Sequence, residues 1–201
     1  VTLRRDTAPI DSVARLIDFV ATRSAYIAQK SLYGYLKTRM GTRYPTMFDD
    51  EVFVQSINLA KLYVFAACLS DLTIHAVAWA TRDPNVADPV RCTLARACYR
   101  RAATENGADT PDDFSWDYCI EAFSQRLEET DWPGGALQRE NFTHSPAALV
   151  KWAPIAPELK RLDREIVENS ITFAWRDIRL DLDRRLDAAS IAADLSIGGG
   201  T

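Results

Sequence analysis

Two histidines are the first side chains in this sequence to consider for acid–base or ligand chemistry. His75 and His144 are the only histidines in 201 residues, and neither belongs to an HExxH pair or to the Glu-x-x-His pair of helical di-iron sites. Asp71 precedes His75 by four residues, so a helix would place both side chains on one face. Such a pair could perform acid–base work or ligate haem. The alternative, which we favour, is a core histidine whose nitrogens bond to neighbouring groups.

A further polar position falls inside the last long apolar pattern. Asn169 and Ser170 lie between Ile166 and Phe173, on a stripe that we expect to face inward. A polar residue there either fixes the register of helix packing or lines a cavity, and register is the simpler interpretation. In the cavity interpretation, the pocket is formed by Asp71, His75, Asn169 and nearby aromatic side chains, because the interiors of helical bundles often hold ligands.

Motifs for the common enzyme classes are missing from the sequence. There is no Gly-x-Ser-x-Gly elbow, no Gly-Lys-Ser/Thr phosphate loop and no dinucleotide fingerprint. No two of the four cysteines have the spacing of a zinc knuckle or a redox pair, so we expect small buried hydrophobic side chains rather than ligands. The sequence therefore predicts no hydrolase, kinase or dehydrogenase chemistry, no metal site and no cofactor.

A dense group of tyrosines and cations follows residue 30. We call six of these residues the basic corner: Tyr33, Tyr35, Lys37, Arg39, Arg43 and Tyr44. Helix geometry explains part of it, because cations in a last helical turn complement the carbonyl end of the dipole and Gly41 allows the chain to reverse. Tyr and Arg are also the residues most enriched in binding hot spots, which predicts a recognition surface. In the alternative interpretation, the tyrosines are half-buried between the first two helices.

The elements that position these residues are helices. Apolar residues recur at helical steps over about 11–40, with Asp11 or Ser12 available as the cap and Gly41 as the stop. A second helix over about 50–81, capped by Asp49 or Asp50, is apolar on nearly every side, which predicts a central buried helix. A membrane span is the competing interpretation of this segment, and we do not expect one because Lys61 and Asp71 interrupt the run.

A third long helix is predicted over about 157–189, with Pro157 in its first turn. Its apolar residues include the series Leu159, Ile166, Phe173 and Leu180, a spacing that suits packing along a neighbouring long helix. Shorter helices are expected between residues 90 and 127. Residues 136–157 contain three prolines, so we expect an irregular cover there with one short helix near 147–152, and a loose tail over 196–201. The fold class is an all-α bundle of five or six helices in one domain, 1–201.

The charges are unevenly distributed. Residues 1–48 hold eight Lys or Arg and three Asp, whereas residues 107–140 hold two Arg and nine Asp or Glu. Two such poles can steer a protein partner, or they can serve only solubility. The net charge of −4 argues against non-specific nucleic-acid binding. We expect a protein partner and leave homo-oligomerisation open. With no leader at the start of the sequence and no disulfide framework, we expect a cytoplasmic protein.

Two classes of function follow. The first is a non-catalytic helical interaction or accessory protein that binds an acidic protein segment or an anionic partner at the basic corner. The second is a bundle that binds a small molecule or cofactor, including an enzyme, in the polar pocket around His75. The missing catalytic motifs favour the first class.

Overall fold

The computed structural model describes residues 6–105, 110–134, 136 and 141–198, and within these ranges the secondary structure is helical with no strand. The helices are α1 (Val13–Met40), α2 (Glu51–Ala80), α3 (Asp88–Glu105), α4 (Trp116–Glu128), α5 (His144–Trp152), α6 (Pro157–Arg185) and α7 (Ala188–Gly198). Two short 3-10 turns, Gly41–Arg43 and Pro45–Asp49, connect α1 to α2. The all-α prediction is confirmed, but the described residues contain seven helices rather than five or six.

The ends of α1 and α2 follow from local capping. The Ser12 side chain accepts a hydrogen bond from the backbone N–H of Arg15, and Gly41, at φ 55°, ends α1. Asp50 accepts from the backbone N–H groups of Val52 and Phe53 at the start of α2. These short-range contacts explain why the predicted bounds of both helices lie within two residues of the observed ones.

The extra helix arises because α6 ends earlier than predicted. Leu186 is extended rather than helical, and it forms a parallel bridge with Ile10. Ile10 donates its N–H to the carbonyl of Arg185 at 2.8 Å, and Asp187 donates to the carbonyl of Ile10 at 2.9 Å. The helix predicted over 157–189 is therefore divided, and α7 starts at Ala188 after Asp187, whose side chain accepts from the N–H of Ser190.

The expected irregular cover contains α5, which is two turns long and starts at His144. Its other part includes residues 135 and 137–140, which lie outside the described ranges, so the cover remains a prediction. The predicted tail begins at residue 196, where α7 is still helical, and residues 199–201 also lie outside the description.

The central helix of the bundle is α2. It packs against α1, α3, α4, α5 and α7, and its second half from Val64 to Ala80 is almost entirely buried. It is also the one helix in the described ranges that is long and apolar enough to cross a membrane by length and composition, and 44% of its most apolar window is buried inside the structure.

Helix α6 presents apolar residues on two sides. Its inward row is Val167, Ile171, Trp175, Ile178 and Leu182. The series predicted to pack inward is exposed instead, and Asn169 with it. Both rows are apolar in sequence, and the row containing Trp175 is buried because its indole N–H donates to the Ser145 hydroxyl in the interior.

The four cysteines are free thiols. Cys68 on α2, Cys98 on α3 and Cys119 on α4 are buried, and Cys92 is half-buried. Burial raises the pKa of Cys98 to about 12 and that of Cys119 to about 11. The three buried side chains pack as small hydrophobic groups in the core.

Candidate functional site

The basic corner lies where α1 turns toward α2. Gly41 has a positive φ that lets the chain reverse, Arg43 ends the first 3-10 turn, and Tyr44 lies between the two turns. Lys37 and Arg43 are exposed, and neither side chain makes an ion pair or hydrogen bond to another described residue. Two cations at the end of α1 are therefore available to solvent or to a partner.

Tyr35 and Arg39 of the corner are engaged within the fold. Both reach Asp163 on α6: the Tyr35 hydroxyl donates at 3.0 Å, and Arg39 contacts the two carboxylate oxygens at 2.7 and 2.8 Å. Burial, followed by the hydrogen bond to the Asp163 carboxylate, raises the pKa of Tyr35 to about 12. Asp163 therefore fixes α1 against α6 by a two-oxygen contact with Arg39.

Tyr33 and Tyr44 are half-buried, and burial raises the pKa of each phenol. Tyr44 packs edge-on against Phe48, with ring centroids 5.2 Å apart, and Phe48 packs on Phe53 in the same way at 5.6 Å. Phe48 remains 40% exposed. Tyr33 and Tyr44 are half-buried, as in the alternative interpretation, but Tyr35 reaches α6. Lys37 and Arg43 form the accessible part of the corner, and Phe48 is exposed next to Tyr44.

The three residues of the predicted pocket face different surroundings. Asp71 points toward α4 and α5, and its side chain is fully buried. His75 lines a pocket of about 300 Å³ between α2 and α6, with Trp79, Arg176, Arg179, Leu180 and Asp183. Asn169 is exposed on the outer side of α6 and lines neither that pocket nor the other described ones. No described cavity joins the three.

Asp71 is the centre of a buried polar network. Its carboxylate accepts from Arg126 Nη1 at 2.8 Å, from the N–H of His144 at 3.3 Å, and from both the N–H and the hydroxyl of Ser145 at 2.8 and 2.6 Å. The Ser145 hydroxyl in turn accepts from the indole of Trp175 at 2.9 Å.

This network holds four helices together. Asp71 lies on α2, Arg126 on α4, Ser145 on α5 and Trp175 on α6. The side chain of Thr143, at the cap position of α5, makes no capping bond, so the carboxylate of Asp71 satisfies the first N–H groups of α5 in its place. The carboxylate of Asp71 pairs with the guanidinium of Arg126 and accepts from the N–H groups at the start of α5. These contacts indicate a structural role for Asp71.

His75 is a core histidine, but its Nδ1 has no hydrogen-bond partner in the described structure, contrary to the prediction that its nitrogens bond to neighbouring groups. The histidine is 8% exposed, and the ring of Phe142 packs against it at 5.3 Å. Burial, reinforced by the nearby charge of Arg179, lowers the pKa of His75 to about 4, so the ring is neutral at pH 7. Asp71, four residues earlier, is occupied by Arg126 and α5, and the Asp71–His75 contact that helix spacing allows is not among the bonds of this region.

A second cavity of about 500 Å³ lies between α2, α4 and α5, where the sequence indicated no site. Aromatic rings dominate its lining, including Tyr63, which stacks on Trp152 at 3.8 Å. His144 and Lys151 supply polar groups at its edge. Burial and the charge of Arg126 lower the pKa of His144, although Asp71 opposes the shift. The part of the chain that the structure describes holds no group of three His, Cys, Asp or Glu side chains that could bind a metal ion.

Three groups at these sites could not be identified from sequence patterns. Asp163 lies 124 residues from Arg39, and Arg126 and Ser145 lie 55 and 74 residues from Asp71. Only the position of Arg126 in the last turn of α4, where cations are favoured, is visible locally. Comparison with family models, curated proteins and solved structures found no match for this chain.

Proposed function

We propose that this chain is a non-catalytic interaction or accessory protein that binds an acidic protein segment at the accessible part of the basic corner. The observation that carries the proposal is the pair of exposed cations, Lys37 and Arg43, which lack an acidic partner among the described residues. Phe48, exposed beside Tyr44, adds an apolar contact to the same surface. Cations with an adjoining aromatic side chain suit a partner that carries both carboxylates and apolar groups.

The rigidity of the surface supports the same function. Arg39 and Tyr35 tie the end of α1 to Asp163, so Lys37 lies on an ordered helix. An ordered binding surface loses less conformational entropy on association than a loose one. Arg39 is thus a positioning residue in this proposal, and Lys37 and Arg43 are the residues that contact the partner.

The test measures binding of a fluorescein-labelled oligo-glutamate peptide by fluorescence anisotropy at low salt. Reversal of both charges, Lys37→Glu with Arg43→Glu, should weaken binding by at least about tenfold. The matched control is Arg96→Glu with Arg100→Glu on α3, which changes the net charge equally at two residues that make no ion pair within the described ranges. Equal losses in the two variants, or no binding by the unaltered protein, would contradict the proposal.

Ligand binding is a second candidate function, favoured by the cavity between α2, α4 and α5. Its aromatic walls and Lys151 suit a flat aromatic carboxylate. The pocket predicted around His75 is smaller and lies elsewhere, between α2 and α6. A rise in melting temperature with 2-naphthoate that is lost in Lys151→Ala would support this candidate, and an unchanged melting temperature would oppose it.

A further inference from the structure

The outer side of α6 carries an exposed apolar row that the fold leaves uncovered. We call Leu159, Leu162, Ile166, Phe173 and Leu180 the outer row, and these side chains are 38, 70, 71, 64 and 58% exposed. They account for half of the ten large apolar side chains that are exposed in the described ranges. A concentration of this kind on one helix marks an interaction surface, whereas isolated exposed apolar residues do not.

The spacing of the outer row is that of a helix–helix seam. Four of its members are seven residues apart and Leu162 lies between the first two, which matches the period of two helices packed at a shallow angle. The row spans 22 residues, 159–180, or about 32 Å of helix between the first and the last. Beside it, a groove of about 550 Å³ separates α6 from α1, with Gly34 and Leu149 in its lining and Ile166 and Phe173 along the α6 side. The occupant that fits this surface is therefore another long helix.

Four of the five outer-row residues are arranged symmetrically along the helix, and the fifth, Leu162, has Asp177 at the symmetric position. Around a point between Asn169 and Ser170, Leu159 is placed symmetrically to Leu180, and Ile166 to Phe173. A two-fold interface requires this property, because each residue of one copy meets its counterpart in the other. Asn169 and Ser170 lie at the centre, where polar side chains can bond across the axis and fix the register.

The charges on α6 favour an antiparallel pair. Glu165 and Arg176 are exposed on the same flank of the outer row, three turns apart, and neither has a partner in the described structure. An antiparallel copy brings Glu165 of each chain close to Arg176 of the other, giving two ion pairs. A parallel copy would instead leave Glu165 and Arg176 of the two chains three turns, about 16 Å, apart along the axis, so these ion pairs could not form. On the other flank, Asp163 is already neutralised by Arg39.

We infer that the outer row is a homodimer interface, in which α6 of a second copy packs antiparallel along α6 with the two-fold axis near Asn169 and Ser170. Helix α6 contains seven acidic and seven basic residues, so the two helices meet without net repulsion. This inference goes beyond the proposed function and does not depend on it, since the basic corner residues Lys37 and Arg43 lie outside the outer row.

The first test is sedimentation velocity of the full chain from about 1 to about 100 μM. The unaltered protein should dimerise, and Ile166→Asp or Phe173→Asp should weaken the dimer by at least about tenfold. Both residues are exposed in the single chain, so their substitution should leave its melting temperature unchanged. Val52→Asp is the matched control, because Val52 is 70% exposed on α2, outside the outer row. A monomer throughout this range, or a dimer that Phe173→Asp leaves at full strength, overturns the inference.

The orientation of the pair has its own test. Glu165→Arg and Arg176→Glu should each weaken the dimer, and the double variant should restore it, because the antiparallel pair regains its two ion pairs. In a Cys92→Ser background, a mixture of Leu159→Cys and Leu180→Cys chains should form a disulfide under mild oxidation, while neither variant should do so alone. Disulfide formation by Leu180→Cys alone indicates a parallel pair and overturns the antiparallel arrangement.

Discussion

The protein contains two regions built from the same ingredients, aspartate and arginine, in different surroundings. Under α5, Asp71 binds Arg126 with side chains that are 0 and 14% exposed. At the other region, where the end of α6 meets α1, Asp181 binds Arg23, Arg184 and Arg185, and Arg185 also binds Asp6 near the N-terminus. There Arg184 and Asp6 are mainly exposed to solvent. The comparison sets a carboxylate that is fully buried against one that is 17% exposed, although Arg23 and Arg185 beside the latter are only 12 and 5% exposed.

The two regions differ in what replaces a lost partner. Around Asp181, three arginines share one carboxylate; if it is removed, Arg184 keeps water and Arg185 keeps Asp6, whereas Arg23, 12% exposed, has no other acid among the described residues. Around Asp71, the remaining arginine and the first N–H groups of α5 would be left inside the protein. Breaking a buried pair by removing one partner is costly because the other charge stays desolvated, whereas exposed pairs contribute little.

The largest expected effect is that of Asp71→Asn. The amide keeps the shape of the side chain but leaves the charge of Arg126 unpaired, so the free energy of unfolding should fall by about 3 kcal/mol or more. Urea denaturation followed by circular dichroism measures the change. Asp112→Asn, at an exposed position with no ion pair in the described structure, is the control and should change it by less than about 0.5 kcal/mol. Similar losses for both substitutions would remove the distinction between the regions.

The buried His75 should make the stability of the protein depend on pH. His75 has an ordinary pKa of 6.5 that burial lowers to about 4, so the unfolded chain binds the proton more readily. Stability is therefore complete above pH 6.5 and declines as the pH falls toward 4, by up to about 3 kcal/mol. His75→Leu should flatten this decline in urea denaturation at several pH values. His144→Leu is the comparison variant and should flatten it less, since His144 is exposed to solvent whereas His75 is buried.

The smallest of these effects is expected for Asp181→Asn, at about 1–2 kcal/mol, because its side chain is 17% exposed. Burial raises the pKa of Asp181, but the hydrogen bond from Arg184 and the charges of Arg23 and Arg185 outweigh it and hold the pKa below 3.8. Its contribution is therefore present above about pH 4 and is lost as the pH falls through the lowered pKa.

In about 1 M NaCl the loss of stability on Asp181→Asn should shrink, whereas the loss on Asp71→Asn should persist. An equal effect of salt on both would show that the two regions are equally exposed.

The extent of the match between sequence and structure depends on the range of the interactions. The ends of α1 and α2 were predictable because Ser12, Gly41 and Asp50 act within their own turns. The end of α6 was not, because Leu186 is neither glycine nor proline and is extended through its pairing with Ile10. The inward row of α6 was also assigned wrongly, since two apolar rows compete and burial of the Trp175 row is set by a partner on α5.

The candidate sites also contain some features that are visible in the local sequence and others that depend on long-range packing. The basic corner was recognisable as a local concentration of tyrosines and cations, and its accessible cations, Lys37 and Arg43, were among the residues predicted. The engagement of Arg39 by Asp163 depends on the packing of α1 on α6, which no local pattern encodes. Helix spacing allowed a pairing of Asp71 with His75, which we did not favour, and Asp71 satisfies groups 55 to 74 residues away.

The buried cysteines can report the order in which the helices of this protein unfold locally. Alkylation requires the thiolate, and Cys68, Cys98 and Cys119 are buried with raised pKa values, so a reagent should modify them only after the helix that carries each one separates from its neighbours. Because they lie on α2, α3 and α4, the order in which mass spectrometry finds them modified would reveal which helix detaches first. No introduced label is needed for that measurement.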